Sequence, residues 1–245
     1  MKENIKFLKE KKWTSENKRP IILNHKKYKE IVMFSRSVPE LNNSQKELQR
    51  LVFARTKPGA DKEKIDAQIW DKFGEEWCVM FTDLSGFSRG TEKFGIIHFL
   101  QVILESQRIM FPLIEDHNGI VIKTEGDSLL VIFNRPDEAL VFCKKVHEVL
   151  HKYNETMSDE EKILLCIGLG YGKILNLGYD DVFGAEVNAA SKLGEDTAVA
   201  WEVLVTDSFV EAVKDSKAAK DFRFEKIDFI PPGAKAAYKA VLITD

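Results

Sequence analysis

The sequence predicts an α+β domain of the ferredoxin-like, split βαβ kind: an antiparallel sheet with helices on one face, preceded by a mainly helical N-terminal region. Three observations predict it. Between positions 77 and 175 the apolar residues switch between continuous runs and helical spacing in the order strand, helix, strand, strand, helix, strand. The second and third of these strands are joined so tightly around Glu125-Gly126 that they must form a hairpin. The chain has 245 residues, 44% hydrophobic and 31% charged, enough for one substantial core plus an appendage.

Residues 1–60 form a basic N-terminal region, partly helical, whose apolar clusters Ile21-Ile22-Leu23 and Ile31-Val32-Met33-Phe34 are broken by Pro20, Pro39 and Pro58. Residues 61–76 are a lead-in. Ile65, Ile69 and Phe73 recur at four-residue spacing there, which predicts an amphipathic helix over 61–73 that ends near Gly74. The main domain spans 77–245. It opens with Trp77-Cys78-Val79-Met80-Phe81-Thr82-Asp83, an apolar run closing on an acid, as suits a central strand with its carboxylate at the sheet edge. After the turn Leu84-Ser85-Gly86-Phe87, helical spacing covers 91–117, with Pro112 expected to bend the helix and Asn118-Gly119 to end it. Strands follow at 120–124 and 128–133, a helix at 136–153 and a strand at 163–175. A short helix at 185–193, a strand at 202–206, a helix at 208–217 and a hairpin near 222–243 extend the unit.

Composition excludes several functions. No run reaches the roughly 18 apolar residues of a membrane span, and the charged N-terminus lacks the apolar stretch of a signal peptide, so a cytoplasmic location is expected. Cys78, Cys143 and Cys166 are odd in number and unpaired in spacing, which speaks against structural zinc and a disulfide framework. Residues 1–70 hold 17 Lys and Arg against 9 Asp and Glu, while the remainder holds 19 against 30. An acidic body argues against DNA as a partner; the basic arm could touch an acidic membrane surface or a protein. His147-Glu148-Val149-Leu150-His151 matches the H-E-x-x-H pattern of zinc proteases, but no histidine follows it and the helix suits an outer layer. Gly168-Leu169-Gly170-Tyr171-Gly172 lies inside a strand, where alternating glycines permit close packing rather than dinucleotide binding.

Two carboxylates begin the chemistry. Asp83 ends the first strand and Asp127 opens the third, and these strands are neighbours in a split βαβ sheet, so the acids can meet. Such a pair suits hard divalent cations, which take one or two protein carboxylates and leave positions for substrate phosphates. Singly, Asp83 could equally cap its turn and Asp127 be a hairpin residue. The turn Ser85-Gly86-Phe87 would offer backbone N–H groups to phosphate oxygens. Lys123 stands four residues before Asp127, and Asp181 precedes the short helix on which Asn188 and Lys192 lie i, i+4 on one face. That last pair suits a sugar oxygen and a phosphate, or is an ordinary solvent-facing pair.

Three stretches together resemble the signatures of class III adenylate and guanylate cyclases: Phe81-Thr82-Asp83-Leu84-Ser85-Gly86-Phe87-Ser88, Lys123-Thr124-Glu125-Gly126-Asp127, and Asp181-Val182-Phe183-Gly184-Ala185-Glu186-Val187-Asn188. The resemblance covers 77–213 in the order and with the intervals of that family. It implies a homodimer with active sites shared between subunits, and conversion of ATP to cyclic AMP and pyrophosphate. It implies Asp83, Asp127 and Leu84 as ligands of two Mg2+ or Mn2+ ions, and Ser85, Gly86 and Phe87 as phosphate contacts. It further implies Lys123 and Asp181 as readers of adenine rather than guanine, Asn188 on the ribose, and Lys192 facing the α-phosphate. Lys192 stands where the family usually has arginine, which leaves a catalytically weak nucleotide-binding regulatory module as the alternative.

Overall fold

The computed structural model describes residues 42–86 and 94–243. Two helices come first, α1 (Asn43–Arg55) and α2 (Lys62–Phe73). The Asp61 side chain caps α2 by accepting the Lys64 amide, and the helix stops where expected: a Cβ at position 74 would run into the carbonyl oxygen of Trp70. Gly74 is extended, so residues 74–76, counted with the lead-in, instead begin β1 (Gly74–Leu84). There follow α3 (Ile96–Asp116), β2 (Gly119–Glu125), β3 (Ser128–Phe133), α4 (Pro136–Asn154), β4 (Leu165–Asn176), the two-residue β5 (Val182–Phe183), α5 (Ala185–Gly194), β6 (Val203–Thr206), α6 (Asp207–Val213), β7 (Phe222–Ile227) and β8 (Ala237–Leu242). Residues 91–93, expected to start the first long helix, lie outside the described residues; the helix continues through Pro112 as one element and ends at Asp116, with Asn118 just beyond it at φ 56°. The helix expected over 208–217 is shorter. It ends at Val213, and the Ser216 hydroxyl accepts the Ala219 amide to start a separate 3-10 turn, Ala218–Asp221.

One sheet gathers the strands in the order β2-β3-β1-β4-β6-β8-β7, with β5 paired to β4. The first and third strands are antiparallel neighbours, as predicted, with Thr82 opposite Leu129, and β1 runs antiparallel to β4 along its whole length. Alternation along β1 divides the core. Cys78, Met80 and Leu84 face α3, α4 and α6, together with Phe133, Phe142 and Phe209, whereas Trp77 and Val79 face α5 with Ile132, Ile174, Val187 and Ala190. The single helical layer expected from sequence therefore holds for the long helices, and the short helix α5 lies on the opposite face. Strand β4 explains how it fits there. A Cβ on Gly168 would collide with the backbone of Ala190 and Gly194, and one on Gly170 would come within 2.8 Å of the Glu186 carbonyl, so these glycines let helix and sheet approach closely. On the α1–α2 side, Leu51, Ile69 and Phe73 bury Leu177, just past the end of β4.

Candidate active site

The pairing of β1 with β3 places Asp83 beside the turn that opens β3. The Ser128 hydroxyl donates to Asp83 Oδ1 at 3.3 Å, and the nearby Leu84 amide favours the ionised form of both the Asp83 and the Asp127 carboxyl. Burial, and next the negative charge of Asp127, push Asp83 up to about 6. Burial also raises Asp127, opposed by the polar groups beside it: its own amide, the Asp83 carboxyl and the Leu84 amide. Two half-buried carboxyls, with the charge on Asp127 opposing the ionisation of Asp83, form a hard, oxygen-only donor set whose negative charge a divalent cation would discharge, so the residues fit such an ion. The Leu84 side chain is buried in the core, which leaves its backbone as the part that can face a metal. One expectation needs correction: the Ser85 amide is taken up by the Leu164 carbonyl at 2.8 Å, because the β1–β4 ladder continues past Leu84, and it is not free for phosphate. Gly86 follows at φ 92° with open space around it; Phe87 and Ser88 lie outside the described residues.

A second pair forms over the α5 face of the sheet. Lys123 follows an irregularity in the β2–β3 register at Val121, and its ammonium lies 2.8 Å from Asp181 Oδ2. Asp181 Oδ1 accepts the Val182 amide at 2.9 Å, and Val182 packs with Trp77, Val79, Ile120 and Ile122, so the carboxylate is anchored from the backbone side. Both side chains keep partial exposure, 35% and 22%, and so remain reachable. Asn188 and Lys192 share the exposed side of α5, where Lys192 pairs with Asp196 at 2.5 Å, and that carboxylate raises the lysine's pKa. No hydrogen bond or ion pair among the described residues joins the Asp83–Asp127 pair to Lys123 and Asp181. The histidines of the H-E-x-x-H stretch are used otherwise: His151 stacks on Trp201 at 3.9 Å between ring centroids and His147 meets the same ring edge-on at 5.6 Å.

The model of the family described as the adenylate and guanylate cyclase catalytic domain matches residues 71–244. The chain belongs to this family. The cyclase domain is 28% identical over 155 residues to an adenylate cyclase of Streptomyces coelicolor, covering 62% of this chain and 36% of that one. It superposes on the adenylate/guanylate cyclase/hydrolase of Silicibacter pomeroyi with a TM-score of 0.56 at 21% identity, over 70% of this chain and 99% of the other. It also matches the guanylate cyclase domain of RhGC from Catenaria anguillulae, solved in complex with GTP, with a TM-score of 0.57 at 19% identity, over 69% and 98% of the two chains. The stretches matched in the curated relatives make up only 15–36% of those proteins' lengths. Among the described residues, no helix of this cyclase domain is long and apolar enough to cross a membrane. Sequence reading passed over Ser128, the hydroxyl that touches Asp83; its position directly after Asp127 at a strand start was the available signal.

Proposed function

We propose that the chain is an adenylate cyclase that converts ATP to 3′,5′-cyclic AMP and pyrophosphate at two sites shared between the subunits of a homodimer. The observation that carries this reading is the 2.8 Å pairing of Lys123 with Asp181. An ammonium beside a carboxylate matches the purine edge of adenine, which offers a ring-nitrogen acceptor to the one and an N6 amino donor to the other. The adenylate cyclases of Streptomyces coelicolor and Dictyostelium discoideum among the relatives support the same choice.

Asp83 and Asp127, with the Leu84 backbone, would hold Mg2+ or Mn2+, two ions per site. Bound there, the metal would supply Lewis-acid chemistry, acidifying the ribose 3′-hydroxyl and neutralising the triphosphate. The chain's own side chains do the aligning. Asn188 holds the ribose, Lys192 places positive charge at the α-phosphate, and Lys123 and Asp181 fix the base. Nucleophile and electrophile sit in one substrate, so holding its ends brings the 3′-oxygen to the α-phosphorus without a covalent intermediate on the protein.

A second reading, a nucleotide-binding regulatory module with little turnover, is favoured by the pairing of Lys192 with Asp196, which ties up the ammonium. Incubating purified protein with ATP or GTP and Mn2+ or Mg2+, and measuring both cyclic nucleotides, separates the two. Cyclic AMP formation in excess of cyclic GMP supports the enzyme; nucleotide binding without either product supports the module.

A further inference from the structure

The turn that carries Asp181 is fastened by side chains that the chemistry above does not use. It spans 176–182, between β4 and β5, and holds two successive residues in the left-handed region, Gly178 at φ 70° and Tyr179 at φ 66°. A tyrosine in that conformation is strained by its Cβ, so the surroundings must hold it. Asn176 does so from below. Its Oδ1 accepts the Tyr179 amide at 3.0 Å, and its Nδ2 donates to Glu75 Oε2 at 2.9 Å. The same Glu75 oxygen accepts the Trp77 indole N–H at 2.6 Å, and the Trp77 ring meets Tyr179 edge-on at 6.1 Å. Leu177 is a second fastening: its side chain is sunk among Leu48, Leu51, Ile65, Ile69 and Phe73, and its amide donates to the Asp181 carbonyl at 2.9 Å.

We propose that Glu75 and Asn176 are positioning residues for base selection. They clamp the turn so that the Asp181 carboxylate stays where it meets Lys123, and they thereby set the preference for adenine over guanine. The proposal rests on the reading of Lys123 and Asp181 as the pair that reads the purine. Its physical basis is the fixed polarity of the chain of hydrogen bonds. Asn176 must present oxygen to the Tyr179 amide and nitrogen to Glu75, so an acid of the same size at position 176 keeps the first bond and sets two carboxylates against each other in the second. A glutamine at position 75, turned with its nitrogen toward the acid at position 176, restores that bond with donor and acceptor exchanged, and gives up the bond from the Trp77 indole, which shared the same Glu75 oxygen.

The test compares ATP with GTP, as kcat/KM where turnover is measurable and as affinities for fluorescent ATP and GTP analogues in every case. Asn176→Asp should lower the ATP:GTP ratio by about tenfold, the effect of one misplaced polar contact, chiefly through weaker ATP binding. The Asn176→Asp/Glu75→Gln double variant should recover part of it, since the bond to position 176 returns while the bond from the Trp77 indole is given up. A purely structural role would lower the thermal midpoint and scale both nucleotides alike. An unchanged ratio in folded Asn176→Asp, or a lowered ratio with no recovery in the double variant, overturns the clamp. Should Asn176→Asp not fold, Glu75→Ala carries the test: Glu75 is exposed, and the same loss of ratio is expected there and an unchanged ratio overturns the proposal. Asp181→Ala separates the two levels of argument. If it leaves the ratio unchanged, the reading of Asp181 itself fails; if it collapses the ratio while the position 75 and 176 variants do not, the clamp alone fails.

Discussion

At the scale of single residues, the carboxyl pair gives the sharpest expectation. Asp83 and Asp127 are partly buried at the end of the sheet with raised pKa values, a condition that costs the free protein stability rather than adding to it. Asp83→Ala and Asp127→Ala should therefore fold at least as well as the parent, by urea midpoint, while losing about a hundredfold or more of turnover and most Mn2+ affinity, the latter read by electron paramagnetic resonance titration. Near-normal turnover in either variant would remove the two-metal assignment. His147 makes an independent case in which the sign of a pH effect follows from burial. Burial, and then the neighbouring His151, lower its pKa to about 4, and its Nε2 is buried without a hydrogen-bond partner. The unfolded chain takes up a proton below pH ~6.5 that the folded chain refuses until about 4, so this contribution is intact above ~6.5 and is lost as the pH falls through that window. Between pH 7 and pH 5 the parent should lose about 2 kcal/mol more stability than His147→Leu; parallel pH profiles would show that His147 titrates normally.

At the scale of elements, the contact between β4 and α5 sets the position of Asn188 and Lys192, and its tolerance is graded by what each missing Cβ would meet. At Gly168 the obstacles are backbone atoms of Ala190 and Gly194 under 3 Å away; at Gly172 the nearest is the side-chain atom Glu186 Cγ at 3.1 Å, which need give by only a few tenths of an ångström. Gly168→Ala should cost about 3 kcal/mol and lower activity by lifting α5, whereas Gly172→Ala should cost about 1 kcal/mol or less, both measured by chemical denaturation. Equal losses at the two positions would mean that helix and sheet are not packed this closely. These glycines were legible in the sequence because three at period two within an apolar strand leave one face without side chains. The order of the first four strands was legible from the tight hairpin at Glu125-Gly126 and the apolar run into Asp83. The side of the sheet that α5 would take was not, since a ten-residue helix with buried Val187, Ala189 and Ala190 fits either face. Nor was the Glu75–Asn176 contact: its partners lie 101 residues apart, one exposed and one at the polar end of an apolar strand, and no periodicity joins them. The pairing of Lys123 with Asp181 was legible only through resemblance to a family, because the irregularity in β2 that aims Lys123 leaves no pattern in the residues around it.

At the scale of the whole molecule, one chain brings Asp83 to Asp127 and Lys123 to Asp181, while no hydrogen bond or ion pair among the described residues joins the two pairs, and Tyr179 and Phe183, the neighbours of Asp181, are about half exposed at 48% each. A second copy that supplies its acidic pair to the first copy's Lys123 and Asp181 would complete the site and cover those rings. This arrangement has a consequence that no single-chain site shares. If each site takes Asp83 and Asp127 from one subunit and Lys123, Asp181, Asn188 and Lys192 from the other, homodimers of Asp83→Ala and of Asn188→Ala each have two damaged sites. In a mixed dimer both lesions fall in one site and the other is intact. Random exchange makes about half of the dimers mixed, each with one good site of two, so mixing the inactive proteins in equal amounts should restore roughly a quarter of the parent's cyclic AMP formation, as two-fold symmetry requires. The recovery should grow with the rate at which subunits exchange, followed by energy transfer between differently labelled chains. Exchange without recovery would mean that each chain assembles its site alone, and the shared-site reading would fall while the fold and the family remain.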